Sequence, residues 1–225
     1  MLVTKYQLTL HDSLFYSTRE MGRLYETEKY IHNWALTYAL GLVQKDYFCS
    51  SSVPTYKEDL TPLNQAGVYV TPAKPIRYEY TLNTFKLADN KYRAIMSHEM
   101  KRQLGIRITN KPSYGRAKEI AAESEFEFYV IGKTIEALPK WIRLGLWMSK
   151  ARVEQVGVSF DLQPQHGSFT CPHPLNPLDL SSRPELYDLI SMPPVSLARN
   201  AVLRGKYVKV GEISLPADMR YFGAS

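Results

Sequence analysis

The chain opens with an alternation of apolar and polar residues that predicts a β-strand from Val3 to Leu10. Tyr6, Leu8 and Leu10 fall on one face of such a strand, and the polar residues between them fall on the other. One face of the first element is therefore expected to pack on a core.

From Leu24 onward the apolar spacing becomes helical and predicts a helix that packs on the core. A single stripe carries the pattern: Leu24, Ile31, Trp34, Ala35, Tyr38, Ala39 and Leu42. The start of this helix has two readings. Either Ser17 to Glu20 form a capping box, or Thr27 is a later cap and the residues before it are loop.

The middle of the chain is predicted to be mostly extended. The stretch "GVYVTPAKPIRYEYTLNTFKL" alternates with period two through Tyr78, Tyr80 and Leu82. Pro72 and Pro75 confine the bend before it to a sheet edge or a loop. The stretch "LGIRITNKPSYGRAKEI" is typical of a strand that runs into a loop, and "SEFEFYVIG" predicts another strand.

The last third is predicted to mix one short helix with strands and a long connection. The helix is expected around Thr134 to Trp141, and it leads into "RLGLWMSKARVEQVGVSF". Seven of the 14 prolines fall between Pro164 and Pro194, which indicates an irregular connection that neighbouring subunits order on assembly. After it, "RGKYVKVGEISL" is expected to return to strand and to close the sheet.

Length and composition are those of a folded protein. The 225 residues are 44% hydrophobic and 22% charged, enough to bury a substantial core. No apolar run reaches the length of a membrane span, and the amino terminus lacks the apolar core of a signal peptide, so we expect a cytoplasmic protein. Cys49 and Cys171 are then expected to be reduced thiols without a disulfide.

The positive charge is concentrated in one segment, Pro54 to Lys118. This segment holds 12 Lys and Arg against 5 Asp and Glu, whereas the remainder holds 16 against 17. Tyrosines and Phe85 interleave with these cations. Because cations follow a phosphate backbone and aromatic faces stack unpaired bases, the texture suits single-stranded nucleic acid. The alternative is a solvated basic face with strand-forming tyrosines.

Three stretches together resemble one family. They are "LHDSLFYSTREMGRLYETEKYIHNWALTYAL", "GVYVTPAKP" and "LPKWIRLGLWMSKARVE", and they are similar to the Csc1 family, the Cas5-like subunit of type I-D CRISPR Cascade. The resemblance implies an α+β RAMP protein with a ferredoxin-like or RRM-like βαββαβ core, an inserted β-hairpin called the thumb, and a long irregular Pro-rich connection.

The resemblance also implies how the chain is divided. A single RAMP-type domain is expected over residues 1–225. Its subregions are the first strand and helix (1–50), a basic extended insertion or thumb (51–120), a strand, helix and strand (121–163), and the Pro-rich connection with closing strands (164–225).

The function that this resemblance implies is non-catalytic RNA binding. Members of the family cap the five-prime handle of CRISPR RNA and dock against the backbone subunit and the large subunit of Cascade. Target DNA is then nearby in the assembled complex. No cofactor, metal or membrane contact is expected.

Handle capping needs cations for phosphates and aromatic rings for splayed bases. The candidate RNA-binding residues are Arg19, Arg23, Tyr25, Lys74, Arg77, Lys101, Arg102, Arg107, Arg116, Arg143, Lys150, Arg152, Arg204 and Lys206.

Two groups among these candidates have competing structural readings. Arg19 and Arg23 precede the dense part of the apolar stripe, but three nearby acids, Glu20, Glu26 and Glu28, would instead make a salt-bridged loop. Arg143, Lys150 and Arg152 have no acid between Glu136 and Glu154, so they are available to phosphate or form a solvated helix end.

The glycine-rich loop of many RAMP proteins is poorly represented here. Only Gly205 and Gly211 in "LRGKYVKVGE" resemble it. Side chains of Arg204, Lys206 and Lys209 would have to replace the backbone amides that such a loop offers to phosphate.

The runner-up function is a metal-independent endoribonuclease that processes precursor CRISPR RNA. The groups available for acid, base and phosphate-binding roles are His11, His32 and His98, with Tyr25, Lys29 or Lys101. His32 lies in the apolar helix, which favours a structural role. Cys171-x-His173 lacks a second pair at zinc spacing, and the chain has neither a Walker loop nor a dinucleotide fingerprint.

Overall fold

The computed structural model describes residues 1–43, 54–87, 102–103, 105, 113–132 and 138–223. The strands are β1 (Val3–Leu10), β2 (Arg19–Met21), β3 (Leu24–Glu26), β4 (Val68–Val70), β5 (Lys74–Arg77), β6 (Tyr80–Leu87), β7 (Ser113–Ile120), β8 (Glu125–Gly132), β9 (Trp141–Leu144), β10 (Ser149–Ser159), β11 (Gln165–Cys171), β12 (Leu186–Ile190), β13 (Leu197–Val210) and β14 (Ile213–Pro216). The helices are α1 (Asn33–Ala39), α2 (Tyr56–Leu60) and α3 (Pro62–Ala66).

These strands form three sheets. The central sheet has the order β4-β8-β1-β10-β9, with β5 also paired to β8. The carboxyl-terminal sheet has the order β11-β13-β12, with β14 on β13, and the flanking sheet has the order β2-β3-β7-β6. Every pairing is antiparallel except β3 with β7, which is parallel. The mixed, sheet-rich architecture agrees with the predicted α+β class.

The central sheet has the strand order of a βαββαβ core. We take β1, the pair β4 and β5, β8 and β10 as its first to fourth strands, so that β1 lies between β8 and β10 and the pair β4 and β5 lies beyond β8. The first strand of a ferredoxin-like sheet is antiparallel to both of its neighbours, and β1 is antiparallel to both β8 and β10. The second core helix would have to lie between β8 and β10, where residues 133–137 are not described and β9 intervenes, so the ferredoxin-like detail stays a prediction.

The first strand is where the sequence placed it, with the predicted buried face. Leu8 and Leu10 are fully buried and pack in one core with Leu36 of α1 and Phe126 of β8. Val3 points to the other side of the central sheet, into a second core that the carboxyl-terminal sheet completes. The central sheet is therefore covered on both sides at its β8 end.

The first helix begins later than the apolar stripe predicted. Leu24 lies in β3, and α1 starts only at Asn33. Its cap is His32, whose Nδ1 accepts a hydrogen bond from the Trp34 amide at 3.2 Å. The two predicted caps are wrong, because the residues before the helix form the β2–β3 hairpin and Thr27 bonds to the Tyr16 backbone instead.

The Pro-rich region is not the irregular connection that its composition predicted. It contains β11, a 3₁₀ turn at Pro177–Asp179 and β12, and many of its side chains are buried. Asp179 fixes the turn, because one carboxylate oxygen accepts hydrogen bonds from Asn33 at 2.8 Å and Tyr69 at 3.0 Å. The other oxygen accepts one from the Phe222 amide at 2.9 Å. The chain itself orders this region.

Burial dominates the electrostatics of this network. Burial raises the pKa of Asp179 to about 6, although the hydrogen bonds from Phe222, Asn33 and Tyr69 act in the opposite direction. It lowers the pKa of His32 and of His173 to about 4 each, so both histidines are neutral at pH 7. Nε2 of His173 lies 2.9 Å from both the Thr71 hydroxyl and the Pro72 carbonyl.

Three other expectations need correction or lie outside the described residues. Trp141 begins β9 rather than ending a helix, and residues 138–140 are not helical, while 133–137 are not described. The segment predicted to close the sheet forms β13 and β14, which belong to a sheet of their own. Residues 54–66 contain the short helices α2 and α3, which the pattern did not predict.

Cys171 is a free, buried thiol. Burial raises its pKa to about 12, so it stays protonated. Cys49 and the predicted strand in "LGIRITN" lie outside the described residues.

Candidate nucleic-acid interface

The flanking sheet presents an exposed face of alternating cations and aromatic rings. On β7, Tyr114 and Arg116 are exposed and Lys118 is half-buried, while Gly115 and Ala117 between them are buried. Tyr80 of β6 and Glu26 of β3 lie on the same face by their registers. We call this the basic face: Arg19, Glu26, Tyr80, Tyr114, Arg116 and Lys118.

Glu26 holds two of the cations of the basic face. Its carboxylate lies 3.6 Å from Arg19 Nη1 and 3.3 Å from Lys118 Nζ. Arg19 therefore forms the kind of ion pair that its nearby acids predicted. Within the described ranges, no carboxylate lies at ion-pairing distance from Arg23 or Arg116, and the Arg23 carbonyl accepts a 2.7 Å hydrogen bond from the Arg116 amide. Carboxylates of the described residues therefore leave these two arginines available to an anion.

Tyr80 gives the basic face a fixed aromatic ring. The Lys118 ammonium lies 4.3 Å from the ring centroid. Burial raises the pKa of Tyr80 to about 12, with further contributions from Glu28, Tyr78 and Glu26, so its hydroxyl remains a hydrogen-bond donor at neutral pH.

Tyr25 belongs to the opposite face of the flanking sheet. Its ring centroid lies 5.9 Å from that of Phe85, and the Phe85 ring covers Gly115. A Cβ at position 115 would lie 2.6 Å from Phe85 Cζ, so only glycine allows this packing. Sequence reasoning grouped Tyr25 with Arg19 and Arg23, but the register separates it from Arg19.

A second cationic and aromatic surface lies on the central sheet where β9 pairs with β10. Trp141 is directly opposite Arg152, and Arg143 is directly opposite Lys150. The Lys150 ammonium lies 4.1 Å from the Trp141 ring centroid, and the His11 ring makes an edge contact with the same ring at 4.9 Å. We call this the Trp141 surface: His11, Trp141, Arg143, Lys150 and Arg152.

Two acids moderate the charge of the Trp141 surface. Arg152 pairs with Glu154 at 2.8 Å, and Arg143 lies 3.9 Å from Asp12. Asp12 also accepts a hydrogen bond from the Lys150 backbone amide. All of these groups are partly exposed, so each pair contributes little to folding.

The β9–β10 turn holds a third aromatic group beside this surface. Trp147 is 52% exposed, and its ring stacks on buried Phe15 with 4.4 Å between centroids. The Leu146 amide donates to the Phe15 carbonyl at 2.9 Å, which pins the turn. Gly145 has φ +78° and lies so close to Phe15 that a Cβ there would come within 2.7 Å of its carbonyl oxygen.

The remaining predicted residues are scattered. Lys74 and Arg77 lie on β5, where they pair with Glu127 at 3.7 Å and Glu125 at 2.9 Å. Burial acts to raise the pKa of Glu127, but Lys5 at 2.7 Å and other nearby charges outweigh it, and the pKa is lowered. Both of these predicted RNA-binding cations thus form ion pairs with carboxylates of the protein.

Two of the last candidates, Arg204 and Lys206, lie on a different sheet from either surface. Arg204 and Lys206 are exposed on β13 of the carboxyl-terminal sheet. The segment "LRGKYVKV" is therefore part of a strand and not a phosphate-binding loop, and the chain turns only at Gly211. Arg102 is exposed. Lys101 and Arg107 lie outside the described residues.

The groups considered for ribonuclease chemistry do not converge where the structure describes them. His32 is buried at the start of α1, and Lys29 lies over the rings of Tyr30 and Tyr78. His11 and Tyr25 contact different aromatic partners, Trp141 and Phe85. His98 is not described. No three ligand-type side chains of the described ranges cluster as a metal site would require.

Sequence reasoning missed Trp141 as a surface residue. The helix predicted around Thr134 to Trp141 is wrong at its last residue, because "WIRL" is a strand whose positions alternate between exposed and buried. The sequence carries no period-two signal there, since Trp141 and Ile142 are both apolar. Lys118, Tyr80 and Tyr114 were noted as part of a basic and aromatic segment, but only the strand register puts them on one face.

Comparison with known protein families gives one match over the whole chain. The model of the family described as type I-D CRISPR-associated protein Cas5/Csc1 matches residues 1–224. The chain belongs to this family. The resemblance drawn from the sequence motifs is thereby confirmed. A comparison with curated proteins finds no match.

Among the solved structures that resemble this member of the Cas5/Csc1 family are two with low sequence identity. One is a chain of a type III-B Cmr-beta complex bound to cognate target RNA and AMPPnP, with 10% identity, TM-score 0.45, and coverage of 91% of this chain and 86% of that one. Another is a CRISPR protein from Archaeoglobus fulgidus, with 12% identity, TM-score 0.45, and coverage of 95% and 98%. These similarities concern the course of the backbone and carry no information about a site.

Among the helices that the structure describes, none has the length and apolar character needed to cross a membrane.

Proposed function

We propose that this chain is a non-catalytic RNA-binding subunit of the type I-D CRISPR Cascade effector, which caps the five-prime handle of CRISPR RNA. In this proposal it contacts the backbone and large subunits, lies near target DNA and works in the cytoplasm. Residues 1–225 form a single RAMP-type domain, with the central sheet as its core and the β6–β7 hairpin as its thumb.

The observation that carries the proposal is the basic face. It combines Arg116 and its neighbour Arg23, which lack carboxylate partners among the described residues, with the exposed rings of Tyr80 and Tyr114. Cations beside aromatic rings on a sheet suit an unpaired strand, because phosphates meet the cations while bases stack. The family match gives the class of complex in which such an RNA would be found.

A non-catalytic role is favoured because the described acid and base candidates lie apart. His32 is buried and neutral, and His11 contacts Trp141 rather than any of the other described groups that a ribonuclease mechanism would use. Endoribonuclease activity remains the competing hypothesis. Incubation of the purified protein with a labelled repeat RNA in EDTA tests it, since a discrete cut would contradict the proposal.

The proposal itself is tested by affinity purification of the tagged chain from cells that carry the type I-D system. We expect CRISPR RNA and the other effector subunits to co-purify. A variant in which Arg23 and Arg116 are both replaced by Ala should retain less CRISPR RNA. Failure of the wild-type chain to retain any CRISPR RNA would overturn the proposal.

A further inference from the structure

Trp141 is a large apolar side chain left half in water on an otherwise polar part of the central sheet. Its side chain is 46% exposed, although its neighbours Ile142 and Leu144 are buried at 4% and 2%. The strand thus turns the apolar residues inward and presents Trp141 and Arg143 together on the outer side. An indole ring offers a large flat apolar face and an N–H donor, so a half-exposed tryptophan among cations suits a planar ligand that carries negative charge.

The groups around Trp141 hold its ring in place. Lys150 lies over the ring face at 4.1 Å, and the His11 ring meets it at an interplanar angle of 71°. A backbone bond joins the two neighbours, because the His11 amide donates to the Lys150 carbonyl at 2.9 Å. The His11 edge contact remains when the Lys150 side chain moves, so the Trp141 ring loses little conformational freedom when a ligand stacks on it.

We propose that Trp141 is a stacking platform for one unpaired nucleotide of single-stranded RNA, with Lys150 and Arg143 binding the adjoining phosphates. This inference rests on the proposed function and assigns a second contact point, on a different sheet from the basic face. Lys150 covers the ring in the free protein. Its flexible side chain moves aside when a base stacks, and the ammonium then meets a phosphate oxygen.

The charges favour nucleic acid over a protein partner. Arg143, Lys150 and Arg152 outnumber the two carboxylates of the surface, Asp12 and Glu154. Lys150 has no carboxylate partner among the described residues, and its contact is the indole ring. A protein anchor would instead be expected where apolar residues are contiguous, as in the exposed Leu146, Trp147 and Met148 of the turn.

The test is binding of a short oligoadenylate RNA to the full-length chain, followed by tryptophan fluorescence in a Trp147→Phe background. The tryptophans left are then Trp141 and buried Trp34, so quenching by a stacked base reports on Trp141. We expect Trp141→Ala to abolish the quenching and to weaken binding about 5- to 150-fold, the range for one lost base stack. Trp141→Phe should keep most of the affinity.

Salt dependence separates stacking from charge. Trp141→Ala removes no cation, so it should leave the log–log slope of affinity against salt unchanged, whereas Lys150→Ala should flatten it by about 0.7. Equal RNA affinity of wild type and Trp141→Ala, at unchanged melting temperature, would overturn this inference and leave the proposed function intact. So would a loss of effector assembly by Trp141→Ala with RNA affinity unchanged, which would indicate a protein contact. Absence of RNA binding by the wild type would overturn both.

Discussion

The side-chain amide of Asn33 donates a hydrogen bond to the Asp179 carboxylate at 2.8 Å, across 146 positions of the chain. Asn33 is the first residue of α1, and Asp179 ends the 3₁₀ turn of the Pro-rich region. Both side chains are fully buried. Asn176 donates to Asn33 Oδ1 at 3.3 Å and closes the network on the Pro-rich side. A buried polar network of this kind ties distant elements together, because any unmade bond in it would be costly.

Acid should destabilise the protein, and Asp179 should oppose this effect. His32 and His173 have a folded pKa of about 4 against an ordinary 6.5, so below pH 6.5 the unfolded chain binds two more protons and stability falls. Asp179 is raised from 3.8 to about 6, so between these values it favours the folded state as pH falls. The two histidines outweigh the one carboxyl.

Asp179→Asn should therefore steepen the pH dependence of stability. Between pH 4.5 and 6, the free energy of unfolding should fall with decreasing pH more steeply in the variant than in the wild type. The difference in slope should reach about 1.4 kcal/mol per pH unit, which corresponds to the one proton that Asp179 binds in the folded wild type. Chemical denaturation at several pH values measures this. Parallel curves for the two proteins would show that Asp179 does not titrate in this range.

Trp34→Ala should destabilise the protein by about 3–5 kcal/mol. The Trp34 ring is 3% exposed and stacks on Phe222 at 4.9 Å, so its removal leaves a cavity in the second core. Thermal melting of soluble protein, or its loss from the soluble fraction, reports the effect. Trp147→Ala is the matched control, because that ring is half exposed and its loss should shift the melting temperature much less.

Chymotrypsin should cut the Pro-rich region only at its exposed strand. Leu186, Tyr187 and Leu189 of β12 are 42–68% exposed, whereas Phe169 and Leu175 are buried. The isolated chain should thus be cleaved within Leu186–Ile190 and resist cleavage at Phe169 and Leu175. This differs from the expectation from composition, in which the whole region becomes ordered only in the complex. Rapid early cleavage at Phe169 or Leu175 would restore that expectation.

Replacing both Arg23 and Arg116 by Ala should weaken RNA binding with little change in melting temperature. Each lost phosphate contact should flatten the salt dependence by about 0.7 in log–log slope, and each charge-assisted bond is worth about 1.5–3 kcal/mol. RNA affinity across a salt series measures both effects. Arg183→Ala serves as the control, since Arg183 is exposed and lies outside both surfaces. An equal loss in the control would point to net charge alone.

Glu26→Gln should have the opposite effect and tighten RNA binding. Glu26 is the shared partner of Arg19 and Lys118, so neutralising it frees two cations of the basic face. The expected result is a higher RNA affinity with a steeper salt dependence. In the wild-type background, Arg19→Ala should weaken RNA binding less than Arg116→Ala does. In the Glu26→Gln background, Arg19→Ala should weaken RNA binding more than it does in the wild-type background. Lower affinity of Glu26→Gln would mean that the basic face needs the ion pairs to keep its shape.

The sequence alone determined the local features of this protein that depend on residue order. Period-two alternation placed β1, because successive side chains of a strand point to opposite faces, and the stretch "SEFEFYVIG" predicted β8. Motifs in three stretches identified the family, and the segment charge pointed to the region that contains β6 and β7. The same local reasoning wrongly assigned Leu24 to the first helix. Leu24 lies in β3, and its position in the short hairpin before α1 fits helical spacing by chance.

Tertiary structure alone decided which side chains meet. Arg19 and Arg116 are nearly a hundred positions apart and share a face only through the parallel pairing of β3 with β7. The prolines from Pro164 to Pro194 indicated an irregular connection that neighbouring subunits order, but contacts of Asp179 with α1 and β4 offset the entropy of ordering it within the chain. Register and long-range contacts have no local signature in the chain. The sequence therefore grouped Arg143, Lys150 and Arg152 without the Trp141 and His11 rings beside them, and the basic face emerged only from the fold.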